Sequence, residues 1–156
     1  MKVLVPVDGS ENSLRAARYV LKMAKTHPSL EVTLLSVACF YDIRYMAEAW
    51  VNEEQINRQC ELTFAQKLAE AKKIFEEEGV SVNTVLLSGD PAEDIISYAE
   101  KEGVDKVVMG SRGLSPFKGM IFGSVTYKVC MTYALNGNCF HFGLLLNHFI
   151  SALSGQ

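Results

Sequence analysis

The sequence predicts an α/β fold, an open parallel sheet with helices on both faces. Three observations predict it. Short β-branched runs without alternation, such as Lys2–Val7 ("KVLVPV"), have the look of strands buried on both sides. Amphipathic stretches of helical period separate these runs. Strands that alternate with helices in this way imply right-handed crossovers and therefore parallel neighbours. A length of 156 residues, 49% apolar and 21% charged, suits one folded domain over 1–156 with a substantial core.

The elements follow in order. After Lys2–Val7, "DGS" turns the chain, and Ser10 is placed to cap a helix over about Glu11–Thr26. Leu14, Ala17, Val20, Leu21 and Ala24 fall on one face of that helix. Leu30–Val37 ("LEVTLLSV") reads as the second strand. An irregular piece follows, then a long charged helix over about Glu53–Glu78, with Leu62, Ala65, Leu68, Ala69 and Phe75 as its apolar stripe. Gly79 ends it, and Val80–Leu87 is the third strand. "GDPAEDIISYAEKEG" starts a helix with Asp90 as N-cap, Pro91 at the first helical position and Glu93 positioned for a capping box. Asp105–Gly110 ("DKVVMG") is the fourth strand, and a further helix begins near Gly123–Ser124.

The last part of the chain is of a different character. After Lys128 there is no Asp, Glu, Lys or Arg. "FHFGLLL" fits a fifth strand followed by a short helix, and a replaced terminus fits the composition as well. His141, Gly143, Asn147 and His148 break the apolar run below membrane-spanning length.

Composition narrows the function. A net charge of −3 lacks the basic field of a general nucleic-acid binder, so any anion site must be local. "MKVLVPVDGS" is expected not to act as an export signal, because Pro6 and Asp8 interrupt its short apolar run. Cys39, Cys60, Cys130 and Cys139 form no CxxC pair, and His27, His141 and His148 form no HxxxH or HExxH pattern. Reduced thiols in a cytoplasmic protein, and no metal centre, are the expectation.

The chemistry concentrates in Gly110–Ser124, "GSRGLSPFKGMIFGS", where Gly110, Gly113 and Gly123 are spaced G-x2-G-x9-G and Ser124 follows. Phosphates are held by backbone N–H groups that no Cβ screens, and a helix start adds unpaired N–H groups and a favourable dipole. Arg112, and less directly Lys118, can offset phosphate charge. Taken alone, such a loop also fits a plain surface connection ending in a helix cap. Its position between a buried strand and a helix favours phosphate. Neither GxxxxGK[ST] nor GxGxxG is present. In a parallel α/β sheet ligands bind beyond the carboxyl ends of strands. "PVDGS" and "GSRG" both lie at such ends, and they become neighbours if strands one and four are adjacent.

The G-x2-G-x9-G-S pattern after "VVMG", with "VPVDGS" near the start and "GDPAEDI" between, resembles the nucleotide-binding branch of the universal stress protein family. The resemblance runs from Met1 to about residue 130; residues 131–156 depart from the pattern. It implies a Rossmann-like, five-stranded sheet in the order 3-2-1-4-5, similar to the adenine nucleotide alpha hydrolases. It also implies a cytoplasmic homodimer that binds ATP or another adenine nucleotide and regulates stress responses, with weak or no hydrolysis. By position, Pro6, Val7 and Asp8 would lie beside the adenosine, with Asp8 the ribose or adenine partner. Val37 would meet adenine, Met109 and Gly110 the ribose side, and Arg112, Gly113, Gly123, Ser124 and Val125 the phosphates. Asp8 also fits a plain Asp-Gly turn, and Val37 also fits the core. Members normally end with a "CPVLVV"-like strand that closes the sheet and commonly builds the dimer interface. Here "NGNCFHFGLLL" stands in that place, with Cys139 as its one shared feature.

No catalytic set accompanies the loop. The sequence has no "HIGH"-like or "SGGxDS"-like motif, and phosphoryl transfer needs metal-holding carboxylates and a positioned acceptor that Asp8 alone does not supply. Mg²⁺ or Mn²⁺ is expected to arrive with the phosphates. Tyr41, Tyr45, Met46 and Trp50 fit a flap over a base, a partner surface, or simple packing of the crossover segment. A nucleotide-free interaction module stays open as the alternative function.

Overall fold

Five strands form one sheet, each parallel to its neighbours, in the order β3-β2-β1-β4-β5. The computed structural model describes residues 1–38, 53–111, 113, 123–135 and 139–142. The strands are β1 (Lys2–Pro6), β2 (Glu31–Ala38), β3 (Asn83–Ser88), β4 (Lys106–Met109) and β5 (Cys139–Phe142). The helices are α1 (Glu11–Thr26), α2 (Glu53–Glu76), α3 (Pro91–Glu102) and α4 (Ser124–Leu135). Within the atypical terminus, β5 takes up the "FHF" of the expected strand and aligns with β4 from Lys106↔Cys139 to Met109↔Phe142.

The β-branched runs are buried on both sides because successive side chains enter two separate cores. Val3, Val5, Val7, Val32, Leu34 and Val108 pack with α1 and α2 on one face. Leu4, Leu35, Val37, Val107 and Met109 pack with α3 and α4 on the other. At about 25 cal/mol per Å² of apolar area, each fully buried Val or Leu contributes about 1.5–3 kcal/mol. The central strands therefore hold much of the buried core, and the loops that leave β1 and β4 start from it. The edge strand β3 behaves differently. Val85 and Leu87 are partly buried, whereas Thr84, Leu86 and Ser88 are exposed, the alternation of a strand covered on one face only.

Ser10 caps α1 as the sequence suggests, its Oγ accepting from the Ser13 N–H at 3.2 Å. Asp90 does the same for α3, with Oδ1 accepting from the Glu93 N–H at 2.9 Å. The return half of that capping box is replaced, because the Glu93 carboxylate accepts from Lys128 Nζ of α4 at 3.1 Å. An α3–α4 cross-link thus takes the carboxylate that would have closed the box.

The stripe expected on α2 holds at Leu68 and Phe75 and requires correction at Leu62 and Ala69. Cys60, Phe64, Leu68, Ala71 and Phe75 are the buried positions, whereas Leu62 is 58% exposed and Ala69 is also exposed. Two apolar stripes of helical spacing run along this helix about half a turn apart. The one carrying two phenylalanines buries the larger area and faces the sheet.

Candidate functional site

The carboxyl ends of β1 and β4 are adjacent because the two strands pair directly, Val3 opposite Lys106 and Leu4 opposite Val107. The loops that leave them therefore share one rim of the sheet. At the β1 exit, the Val7 N–H donates to the Leu35 carbonyl at 2.8 Å, and the buried Ser36 hydroxyl donates to the Val7 carbonyl at 2.8 Å. Both groups of Val7 are thus spent on β2, and the chain turns with Asp8. Asp8 Oδ1 accepts from the Ser10 N–H at 2.9 Å, an Asx turn that fixes the carboxylate at the start of α1. Its other oxygen, Oδ2, lies against Gly113: a Cβ on Gly113 would stand 2.5 Å from it. Strand pairing and the missing side chain together bring the two loops into contact.

Gly110 and Gly113 turn out to serve different ends. Gly110 is buried, and a Cβ there would lie 2.8 Å from the Asn12 carbonyl carbon and 3.0 Å from its oxygen, in the first turn of α1. Its bare Cα admits the α1 backbone rather than a ligand. Gly113 is the glycine that faces Asp8. The loop between them and α4 is closed at its base by two hydrogen bonds. The Gly123 N–H donates to the Ser111 carbonyl at 2.9 Å, and the buried Thr126 hydroxyl donates to the Gly110 carbonyl at 3.0 Å.

Gly123 is the N-cap of α4, since its carbonyl accepts from the Tyr127 N–H at 2.8 Å. A glycine in this position brings no side-chain acceptor, in contrast to Ser10 of α1 and Asp90 of α3. The N–H groups of Ser124, Val125 and Thr126 have no intrahelical acceptor by the geometry of any α-helix. Their dipoles point outward and favour an anion. Ser124 is exposed beside them, and Val125 packs partly into the second core.

The remaining expected residues are distributed as follows. Pro6 and Val7 are buried at the β1 exit, and Val37 and Met109 are each 6% exposed within the second core. Their side chains are structural. Arg112, Lys118 and the aromatic segment with Tyr41, Tyr45, Met46 and Trp50 lie outside the described residues. Cys60 and Cys130 stand outside any disulfide, and burial raises the Cys130 pKa, which favours its protonated form. Among the described residues no group of three or more His, Cys, Asp or Glu could hold a metal ion, and no helix is long and apolar enough to cross a membrane.

Sequence reasoning passed over three contributors. Asn12 fills the space that Gly110 leaves, and Thr126 ties α4 to β4. The third is Lys67 of α2, whose stem crosses the β1–α1 loop at Gly9 while its ammonium lies 4.3 Å from the centre of the Phe64 ring. Thr126, two residues after the Gly123–Ser124 pair, was within reach of a reading that asked for the partners of a helix start. Lys67 was not, because its meeting with Gly9 joins elements 58 positions apart.

The sequence pattern of the universal stress protein family matches residues 1–131. The chain belongs to that family. Among relatives of this universal stress protein, YxiE of Bacillus subtilis is 33% identical over 136 residues, covering 82% of this chain and 90% of its own. A solved structure from Methanocaldococcus jannaschii, described as a structure-based assignment of biochemical function, superposes with a TM-score of 0.70 at 29% identity. The match covers 90% of this chain and 93% of that one. The fold is also that of an Archaeoglobus fulgidus universal stress protein solved in complex with dAMP, with a TM-score of 0.63 at 19% identity. There the coverage is 91% of this chain and 96% of that one.

Proposed function

We propose that this universal stress protein binds an adenine nucleotide, ATP foremost, and acts as a cytoplasmic, nucleotide-dependent regulatory module with weak or no hydrolysis. The observation that carries the reading is the apposition of Asp8 and Gly113 at the shared rim of β1 and β4. The Asp8 carboxylate fixed at this rim accepts from ribose hydroxyls, and the glycine loop and the start of α4 beside it offer N–H groups to phosphates. The dAMP complex of the Archaeoglobus fulgidus relative supports the same ligand class.

In this reading Asp8 meets the ribose or base, the Val37 backbone borders adenine, Met109 backs the ribose with Gly110 turned to α1 behind it, and Arg112, Gly113, Gly123, Ser124 and Val125 hold the phosphates. Bound Mg²⁺ or Mn²⁺ would screen charge along the phosphate chain and is carried by it. No residue is assigned a catalytic role. A homodimer would use the β5 side of the sheet, where the family's interface strand normally lies.

The test is to denature freshly purified protein and identify any released nucleotide by mass. ATP or ADP in near-stoichiometric amount is the expected result. Protein that carries none, and that binds none in titration with ATP and Mg²⁺, would belong instead with nucleotide-free interaction modules.

A further inference from the structure

The base of the glycine loop is held by one side chain. Thr126 is 3% exposed, and its hydroxyl donates to the Gly110 carbonyl at 3.0 Å across sixteen positions of sequence. The carbonyl of Gly110 and the N–H of Ser111 belong to one planar trans peptide, so they point in opposite directions. Drawing the carbonyl inward to Thr126 therefore turns the Ser111 N–H outward, away from the α4 interior. A peptide that follows a glycine is easily inverted, because glycine tolerates φ and ψ values that other residues avoid. Inversion would aim a carbonyl oxygen where an anion is to sit, replacing attraction with repulsion.

We infer that Thr126 is a positioning residue for the phosphate site, locking the Gly110–Ser111 peptide in the orientation that turns its N–H toward the ligand. The inference rests on the adenine-nucleotide reading above and names a determinant of phosphate, as opposed to nucleoside, affinity. Two features of the fold support it. The same loop base carries a second bond, from the Gly123 N–H to the Ser111 carbonyl, so both peptides flanking Ser111 are fixed in direction. In addition, the Gly110 Cα is pressed against the Asn12 backbone, which leaves this peptide unable to adjust by sliding. Rotation is the freedom that remains, and the Thr126 hydroxyl removes it.

The test compares Thr126→Val, which exchanges the hydroxyl for a methyl group at nearly constant volume, with Thr126→Ser, which keeps the donor. ATP and adenosine are titrated calorimetrically into each purified protein, and the Ser111 amide resonance is followed by ¹⁵N NMR. The expected loss for Thr126→Val is about tenfold or more in ATP affinity, on the scale of one hydrogen bond to a charged group. Adenosine affinity should stay within about twofold, because the nucleoside does not use this peptide. Thr126→Ser should restore ATP binding, and the Ser111 amide should shift on ATP addition in the parent and the serine variant but not in the valine variant. Undiminished ATP affinity in Thr126→Val overturns the inference, as does an equal loss of ATP and adenosine. If the valine variant does not fold, the serine variant decides, because a Ser111 amide that ignores ATP there also overturns it. A parent protein that binds neither ligand refutes the nucleotide reading, and this inference with it.

Discussion

The carboxylate of Asp8 and the Cα of Gly113 are in contact, although the two residues leave different strands and are separated by most of the domain. A Cβ at Gly113 would stand 2.5 Å from Asp8 Oδ2, well inside van der Waals distance. Gly113→Ala must therefore push the carboxylate away or move the loop. Because Asp8 and Gly113 are both partly exposed, the fold can absorb the shift. ATP affinity should fall at least about tenfold while the melting temperature drops by only a few degrees, about 1 kcal/mol or less. Parallel calorimetric titration and thermal melts check this, and a Gly113→Ala protein that binds ATP like the parent would remove Gly113 from the site.

Gly110→Ala is expected to behave in the opposite way. Its Cβ would meet main-chain atoms of Asn12 at 2.8 and 3.0 Å, in a helix turn anchored by Ser10. Backbone on both sides cannot yield as a side chain can. Overpacking of this kind costs about 1–3 kcal/mol, so the variant should melt several degrees lower than Gly113→Ala. Urea unfolding of the two side by side measures the difference.

These two glycines show how far the sequence could be read. Their spacing and their place after a buried strand were legible, and so was the pairing of exits that an alternating α/β order demands. Which glycine faces a ligand and which faces a helix was not legible, since that depends on where Asn12 falls across the β1–β4 pair. The same limit applies to α2. The stripe through Leu62 and Ala69 and the stripe through Cys60 and Phe64 satisfy helical periodicity equally, and only the shape of the sheet surface selects between them. Caps were the most reliable signal, because Ser10 and Asp90 act within three residues. Even there the Glu93 carboxylate was drawn off by Lys128, a partner 35 positions away.

The start of α3 makes stability depend on pH in two opposed ways. The N–H of Glu93, foremost, and Lys128 hold the Asp90 carboxyl below its ordinary value of 3.8. A depressed folded pKa means the native state prefers the ionised form. This stabilisation is fully present above 3.8 and is lost as pH falls through the lower folded value. Asp94 has the opposite sign. Burial, followed by the charges of Asp90 and Glu93, raises its pKa, and Oδ2 is buried without a hydrogen-bond partner. The native state then keeps its proton longer, and stability declines as pH rises from 3.8 through the raised value. Asp90→Asn, which keeps a competent cap, should be less stable than the parent at neutral pH and equal to it in strong acid. Asp94→Asn should remove the decline on the alkaline side of 3.8. Denaturation midpoints between pH 2 and 7 test both signs.

Gly9 and Lys67 provide a test of how the β1–α1 loop is held. Gly9 has φ +81°, where a side chain is strained, and a Cβ there would also stand 2.7 Å from Cγ and 2.8 Å from Cδ of Lys67. Two penalties are thus superimposed in Gly9→Ala. The conformational one is about 1–2 kcal/mol. The steric one depends on Lys67, whose stem can swing aside only by giving up its cover of the loop and its place over the Phe64 ring. A double-mutant cycle separates them. Lys67→Ala alone should cost under about 1 kcal/mol, as for a cation–π contact at a partly exposed site. Gly9→Ala should cost about 2–3 kcal/mol in the parent and about 1–2 kcal/mol in the Lys67→Ala background, a coupling of the size found between residues in contact. Strict additivity in chemical denaturation would mean that the lysine stem leaves Gly9 free, and the loop would then owe its shape to the Asp8–Ser10 turn alone.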